Sequence, residues 1–108
     1  MIVKKLGDKK VILDRQKDEC LYMSPRNLQN ITRGEDLYRH VTKKGTIVYY
    51  IYSWSMWQGE TCDYKIVNEE TAKDFLLDRA GEPSPYGLSR DEIEKAQKLF
   101  PDLFEEDA

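Results

Sequence analysis

The chain has 108 residues, 40% hydrophobic and 34% charged, with a formal net charge of −3. Such a length suits one domain over residues 1–108 with one core, and the composition belongs to a globular rather than a disordered chain. No apolar run reaches the roughly 18 residues of a membrane span, so no membrane partner is expected.

The N-terminal MIVKKLGDKK carries charges where a signal peptide has its apolar core, which points to mature structure and a cytoplasmic location. The charge is uneven. Residues 1–45 hold eleven Lys or Arg against six Asp or Glu, and residues 46–108 hold six against fourteen. One reading is acidic surface helices near the C-terminus; the other is a basic face for an anionic partner. Two cysteines, Cys20 and Cys62, and one histidine, His40, do not make the close ligand pairs of a structural zinc site. No metal or cofactor is expected. In a cytoplasmic chain the cysteines read as thiols, with a Cys20–Cys62 disulfide as the alternative.

Ile2 to Asp14 reads as a β-hairpin, strands 2–6 and 10–14, turning at Gly7-Asp8. Arg15 to Glu19 is a polar loop. Ser24-Pro25 has the look of an N-cap and first helical position, so the spacing predicts a short helix or turn over 25–30, closed by Gly34.

The strongest hairpin follows, with strands 36–42 and 46–54 joined by Lys43-Lys44-Gly45. A three-residue loop with Gly last places that Gly in the left-handed conformation. The register then pairs Val41 with Ile47, Arg39 with Tyr49 and Leu37 with Ile51. One face carries Leu37, Val41, Ile47 and Ile51. The other carries Tyr38, His40, Val48, Tyr50, Tyr52 and Trp54. A slip of one residue would exchange the faces.

Ser53 to Glu60 is a connection, and 61–67 alternates as a half-buried strand. Asn68 caps a helix over 69–80 that ends at Gly81. Ser89-Arg90-Asp91-Glu92 is a capping box for a second helix over 90–100, stopped by Pro101. Its inner stripe is Ile93, Ala96, Leu99 and Phe100. The fold class is α+β, an antiparallel meander of about five strands followed by two helices that cover one sheet face.

Two places attract a functional reading. Tyr50, Tyr52 and Trp54 on the aromatic face are either a stacking platform or core. In the loop that follows, Trp57, Gln58 and Glu60 surround Gly59. They form either a binding anchor or a plug at the sheet end. The first function is a non-catalytic binding or regulatory module that uses this loop and face for a protein or small ligand. The alternative is nucleic-acid binding through Arg39, Lys43 and Lys44 with the sheet aromatics. The third is a small enzyme using His40 with Cys62 or Glu60. A homodimer through the aromatic face is a further expectation.

Leu37-Tyr38-Arg39, Lys44-Gly45, Trp57-Gln58-Gly59-Glu60 and the run from Glu70 to Leu76 together resemble a group of short prokaryotic proteins with no assigned activity. The resemblance covers about residues 35–81. It implies a bacterial or archaeal cytosolic origin and a hairpin–strand–helix unit, and it implies no reaction, cofactor or site.

Overall fold

A computed structural model describes residues 1–26, 32–56, 62–83 and 86–104. Strands β1 (Ile2–Leu6) and β2 (Lys9–Leu13) form a two-stranded antiparallel sheet of their own. Strands β3 (Glu19–Tyr22), β4 (Arg33–Val41), β5 (Ile47–Ser55) and β6 (Asp63–Val67) form a second antiparallel sheet in the order β3-β4-β5-β6. Helices α1 (Glu69–Ala80) and α2 (Arg90–Leu99) follow. The class is α+β, as expected. The expected single meander is instead a hairpin and a separate four-stranded sheet, and β3 is an added strand where a loop was expected to end.

Local chemistry explains the turns and caps. Gly7 has φ 61° and closes the β1–β2 turn. Gly45 has φ 88°, and its N–H reaches Thr42 O at 2.9 Å while Thr42 N–H reaches Thr46 O at 2.8 Å. Side chains with a β-carbon resist this left-handed region. The resulting register pairs Val41 with Ile47, Arg39 with Tyr49 and Leu37 with Ile51, as the three-residue turn requires. Asn68 accepts from Thr71 N–H at 2.8 Å to start α1. Ser89 and Glu92 exchange the two bonds of the capping box to start α2. Phe100, at φ −132°, ψ 80°, has left the helical region, which is disfavoured before Pro101.

Three layers result. On one sheet face Leu21, Tyr22, Leu37, Tyr49 and Ile51 pack against Ala72, Phe75 and Leu76 of α1 and Ala96 and Phe100 beside α2. Ile93, expected on the inner stripe, is exposed. A register shift between Cys20 and Tyr22 breaks the alternation, which is how the consecutive residues Leu21 and Tyr22 share one core. On the opposite face Tyr38, Val48, Tyr50, Tyr52 and Trp54 pack with Val11 and Leu13 of the hairpin. Burying each large apolar side chain contributes about 1.5–3 kcal/mol, which an isolated hairpin lacks. The helices therefore cover the Leu37 and Ile51 part of the aliphatic face, with Tyr49 beside them, while Val41 and Ile47, expected on that face, stay about half exposed near the turn; the N-terminal hairpin covers the aromatic face.

Gly34 departs from expectation. It does not close a helix; it lies within β4, opposite Trp54. A β-carbon there would run into Ser24 Oγ and the Trp54 ring. Ser24 is buried, and its hydroxyl donates to Asp36 Oδ1 at 2.8 Å. Most of the predicted 25–30 helix lies outside the described residues. No helix among the described residues is long and apolar enough to cross a membrane.

Candidate functional site

Hairpin and sheet meet along a seam that is polar at its rim. The segment after β2 supplies the polar groups. Asp18 sits at the centre, with its side chain 7% exposed. Its Oδ2 accepts from the Tyr50 hydroxyl at 2.7 Å and from the Asp14 backbone N–H at 3.0 Å. Its Oδ1 lies 2.7 Å from His40 Nδ1. A carboxylate here only accepts, so Nδ1 carries the proton and Nε2 is the ring nitrogen left for other partners. Burial first, and then the bond to Asp18, push the Tyr50 hydroxyl well above its ordinary range, which keeps it a donor.

This cluster forms the wall of a cleft of about 540 Å³ between the hairpin and the β4–β5 turn. Ile12 lines one side; Val41 and Lys43 line the other; Lys17 and Arg39 add positive charge. Each acid in the lining is already engaged. Asp14 accepts from Gln16 N–H at 3.0 Å, Asp18 holds its three donors, and Glu19 lies 3.6 Å from Arg39 and 4.0 Å from Lys95. The side chains of Lys17 and Lys43 have no ion-pair partner among the described residues. The lining thus balances Asp14, Asp18 and Glu19 against Lys17, Arg39 and Lys43, and Lys17 and Lys43 are its uncommitted hydrogen-bond donors. No Ser, Thr or Cys occurs among the described residues that line it.

The residues singled out in the sequence separate into different environments. Tyr50 is fully buried, and Tyr52 is 8% exposed with the Arg15 guanidinium 3.8 Å from its ring centroid. Tyr38 stacks on Tyr50 at 5.3 Å between centroids. These ring faces are occupied from within the chain, and the same hairpin occupies the face expected to meet a second copy. Trp54 is buried at the far end. Its Nε1 donates to Ser24 Oγ at 3.1 Å and lies 3.3 Å from Asp36 Oδ1. Arg26 lies over the Trp54 ring and forms an ion pair with the fully buried Asp36. Trp57, Gln58 and Glu60 lie outside the described residues. Arg39 and Lys43 line the cleft together, whereas Lys44 is exposed in the turn and outside the lining.

His40 and Cys62 do not meet. His40 pairs across from Val48, and Cys62 sits beside Tyr52, four residues on, about 13 Å at the rise of a strand. Both cysteines are free thiols. Burial pushes the Cys20 thiol up. The exposed Cys62 thiol is held down, first by the hydrogen bond from Tyr52 and then by the Ser55 backbone. Sequence reading missed Asp18, Lys17 and Asp36. The signal was there in part: Arg15 to Glu19 is a polar run ahead of tyrosines that must satisfy buried hydroxyls.

Comparison with protein-family models, curated proteins and solved structures gave no match.

Proposed function

We propose that the protein is a non-catalytic binding module whose ligand seats in the cleft beside Asp18 and His40. One observation carries this reading: the acids of the cleft are committed to internal partners while Lys17 and Lys43 are not. Carboxylates whose lone pairs are engaged, beside lysine donors without partners, favour a ligand that brings hydrogen-bond acceptors. The Asp18 carboxylate is better explained as the group that fixes His40 and Tyr50 than as a reacting group, since its lone pairs are spent on donors. Trp57, Gln58 and Glu60 remain a second candidate contact on sequence grounds alone. The expected setting is the cytoplasm.

Nucleic acid is the weaker reading. Arg39 and Lys43 face the same cleft, but the tyrosines needed for base stacking are packed under the hairpin.

The test is a series of backbone amide correlation spectra of the full chain, titrated with phosphate, citrate and short acidic peptides. Saturable shifts at Lys17, His40 and Lys43 that vanish in the Lys17→Glu/Lys43→Glu variant are expected. If no probe gives a saturable shift at these residues, the cleft is not a binding site and the reading fails.

A further inference from the structure

The four-stranded sheet ends in β3 on one side and β6 on the other, and only the β3 edge is guarded. There α2 fills outward backbone groups: Lys95 Nζ donates to Cys20 O at 3.1 Å, and Glu92 Oε2 accepts from the Met23 N–H at 2.8 Å. At β6 the turn geometry fixes which groups face out. Thr42 and Thr46 bond each other across the turn, so the even-numbered residues of β4 and β5 direct their N–H and C=O toward one another. The odd-numbered residues of β5 therefore bond β6, through Ile51 with Lys65 and Ser53 with Asp63. Tyr64 and Ile66 are left directing N–H and C=O away from the sheet, and no backbone bond among the described residues fills them. Such a row is a template for another strand.

From this edge we infer that β6 pairs antiparallel with β6 of a second copy, with Tyr64 opposite its own counterpart at the two-fold axis. The sequence of the strand selects this occupant. In the register about Tyr64, Asp63 of each copy faces Lys65 of the other, so the two-fold axis makes the pair twice. These are non-hydrogen-bonded positions, the closer kind, with Cα atoms about 4.5 Å apart. Opposite charges stabilise there, and like charges directly opposed destabilise. Centring on Asp63 or Lys65 sets like charges against each other, and centring on Ile66 runs the overlap into the cap of α1 at Asn68. Asp63 and Lys65 are both exposed; Asp63 lies 3.7 Å from Lys4, and Lys65 has no ion-pair partner among the described residues. A strand of unrelated sequence would find the same backbone groups but not both charges in place. The second copy thus meets the edge of the sheet rather than the aromatic face, which the hairpin fills.

The experiment is sedimentation equilibrium of the full chain from about 1 µM to about 1 mM, repeated with Asp63→Lys, with Lys65→Glu and with the two variants mixed in equal amounts. The expected result is a monomer–dimer equilibrium for the parent chain. Each variant alone opposes like charges twice and should associate about tenfold or more weakly. The mixture should regain the dimer, because the introduced lysine meets the introduced glutamate while Asp63 of one variant meets Lys65 of the other. Amide hydrogen exchange of the unaltered protein reads the same contact without any substitution. Exchange at Tyr64 and Ile66 should slow as concentration rises, while Asp63 and Lys65, already bonded to β5, should change less. A monomer at every concentration overturns the inference and leaves the edge to a strand of another protein. A dimer equally tight in both variants, or one in which Tyr64 and Ile66 exchange as fast as in dilute protein, uses another face and overturns it as well.

Discussion

His40 and Tyr50 reach opposite oxygens of one carboxylate. His40 Nδ1 lies 2.7 Å from Asp18 Oδ1, and the Tyr50 hydroxyl lies 2.7 Å from Asp18 Oδ2. The carboxylate comes from the loop after the hairpin, and its two partners come from neighbouring strands of the sheet. This bond pair pins the hairpin layer to the aromatic face and orients the wall of the cleft.

Tyr50→Phe keeps the ring and removes the donor. Asp18 then stays buried with one fewer bond, which costs about 1–3 kcal/mol. Urea unfolding should show a lower midpoint at unchanged slope. Asp18→Ala should cost more, because it strands Tyr50, His40 and the Asp14 N–H together. A Tyr50→Phe midpoint equal to that of the parent chain would show that the bond contributes nothing net.

Alkaline pH should loosen the same layer. The Tyr50 hydroxyl is raised above its ordinary value of 10.0, and Tyr52 is pushed up to about 12, both first by burial. A raised folded value means the neutral form is favoured in the folded state. That stability is fully present below pH 10.0 and is lost as pH rises through the folded values. Thermal midpoints should hold steady up to that point and then fall. Tyr50→Phe should flatten the fall, and near-ultraviolet absorbance should show phenolate appearing together with unfolding.

Gly34→Ala should be among the costlier single-methyl additions. The added carbon meets Ser24 Oγ and the Trp54 ring, and Ser24 also holds Asp36. Overpacking of this kind costs about 1–3 kcal/mol, and the buried network around Asp36 magnifies any shift. A midpoint within error of the parent chain would mean that the Trp54 end of the sheet yields freely.

Cys62 should react with iodoacetamide well before Cys20 at neutral pH. Cys62 is exposed with its thiol held down by Tyr52, while Cys20 is partly buried with its thiol pushed up. Tyr52→Phe removes the first cause of the Cys62 shift. It should slow alkylation a few-fold at neutral pH, read by mass spectrometry over time. Equal rates at both cysteines would contradict this arrangement.

Much of the fold was legible because it is written in short-range chemistry. Gly45 at φ 88° and the Thr42–Thr46 bond set the register of β4 and β5 within a few residues. Asn68, Ser89 and Glu92 cap helices by bonds to the third residue along. Gly34 misled because a Gly following Ser24-Pro25 reads as the end of a short helix, whereas it lies within β4. There the buried Asp36 recruits Ser24, and Gly34 is needed for the approach of Trp54. The β3 strand escaped notice because its alternation is broken at Leu21. The cleft was half legible, through Arg39, Lys43 and His40 but not through Asp18 and Lys17.

The sequence by itself determined the strand and helix segments other than β3, the register of the central hairpin and which residues share each face of β4 and β5. Those depend on alternation and on turn and cap residues, whose partners lie close along the chain. Only the tertiary structure decided which layer covers which face and where the charges converge. Both faces of the sheet are apolar enough to be buried, so periodicity cannot choose between helices and hairpin. The bonds that define the site join Asp18 to residues 22 and 32 positions away. No local pattern records a meeting at that distance; it follows from folding the hairpin over the tyrosines, which turned an aromatic platform into core and left the lysine-lined groove at its edge.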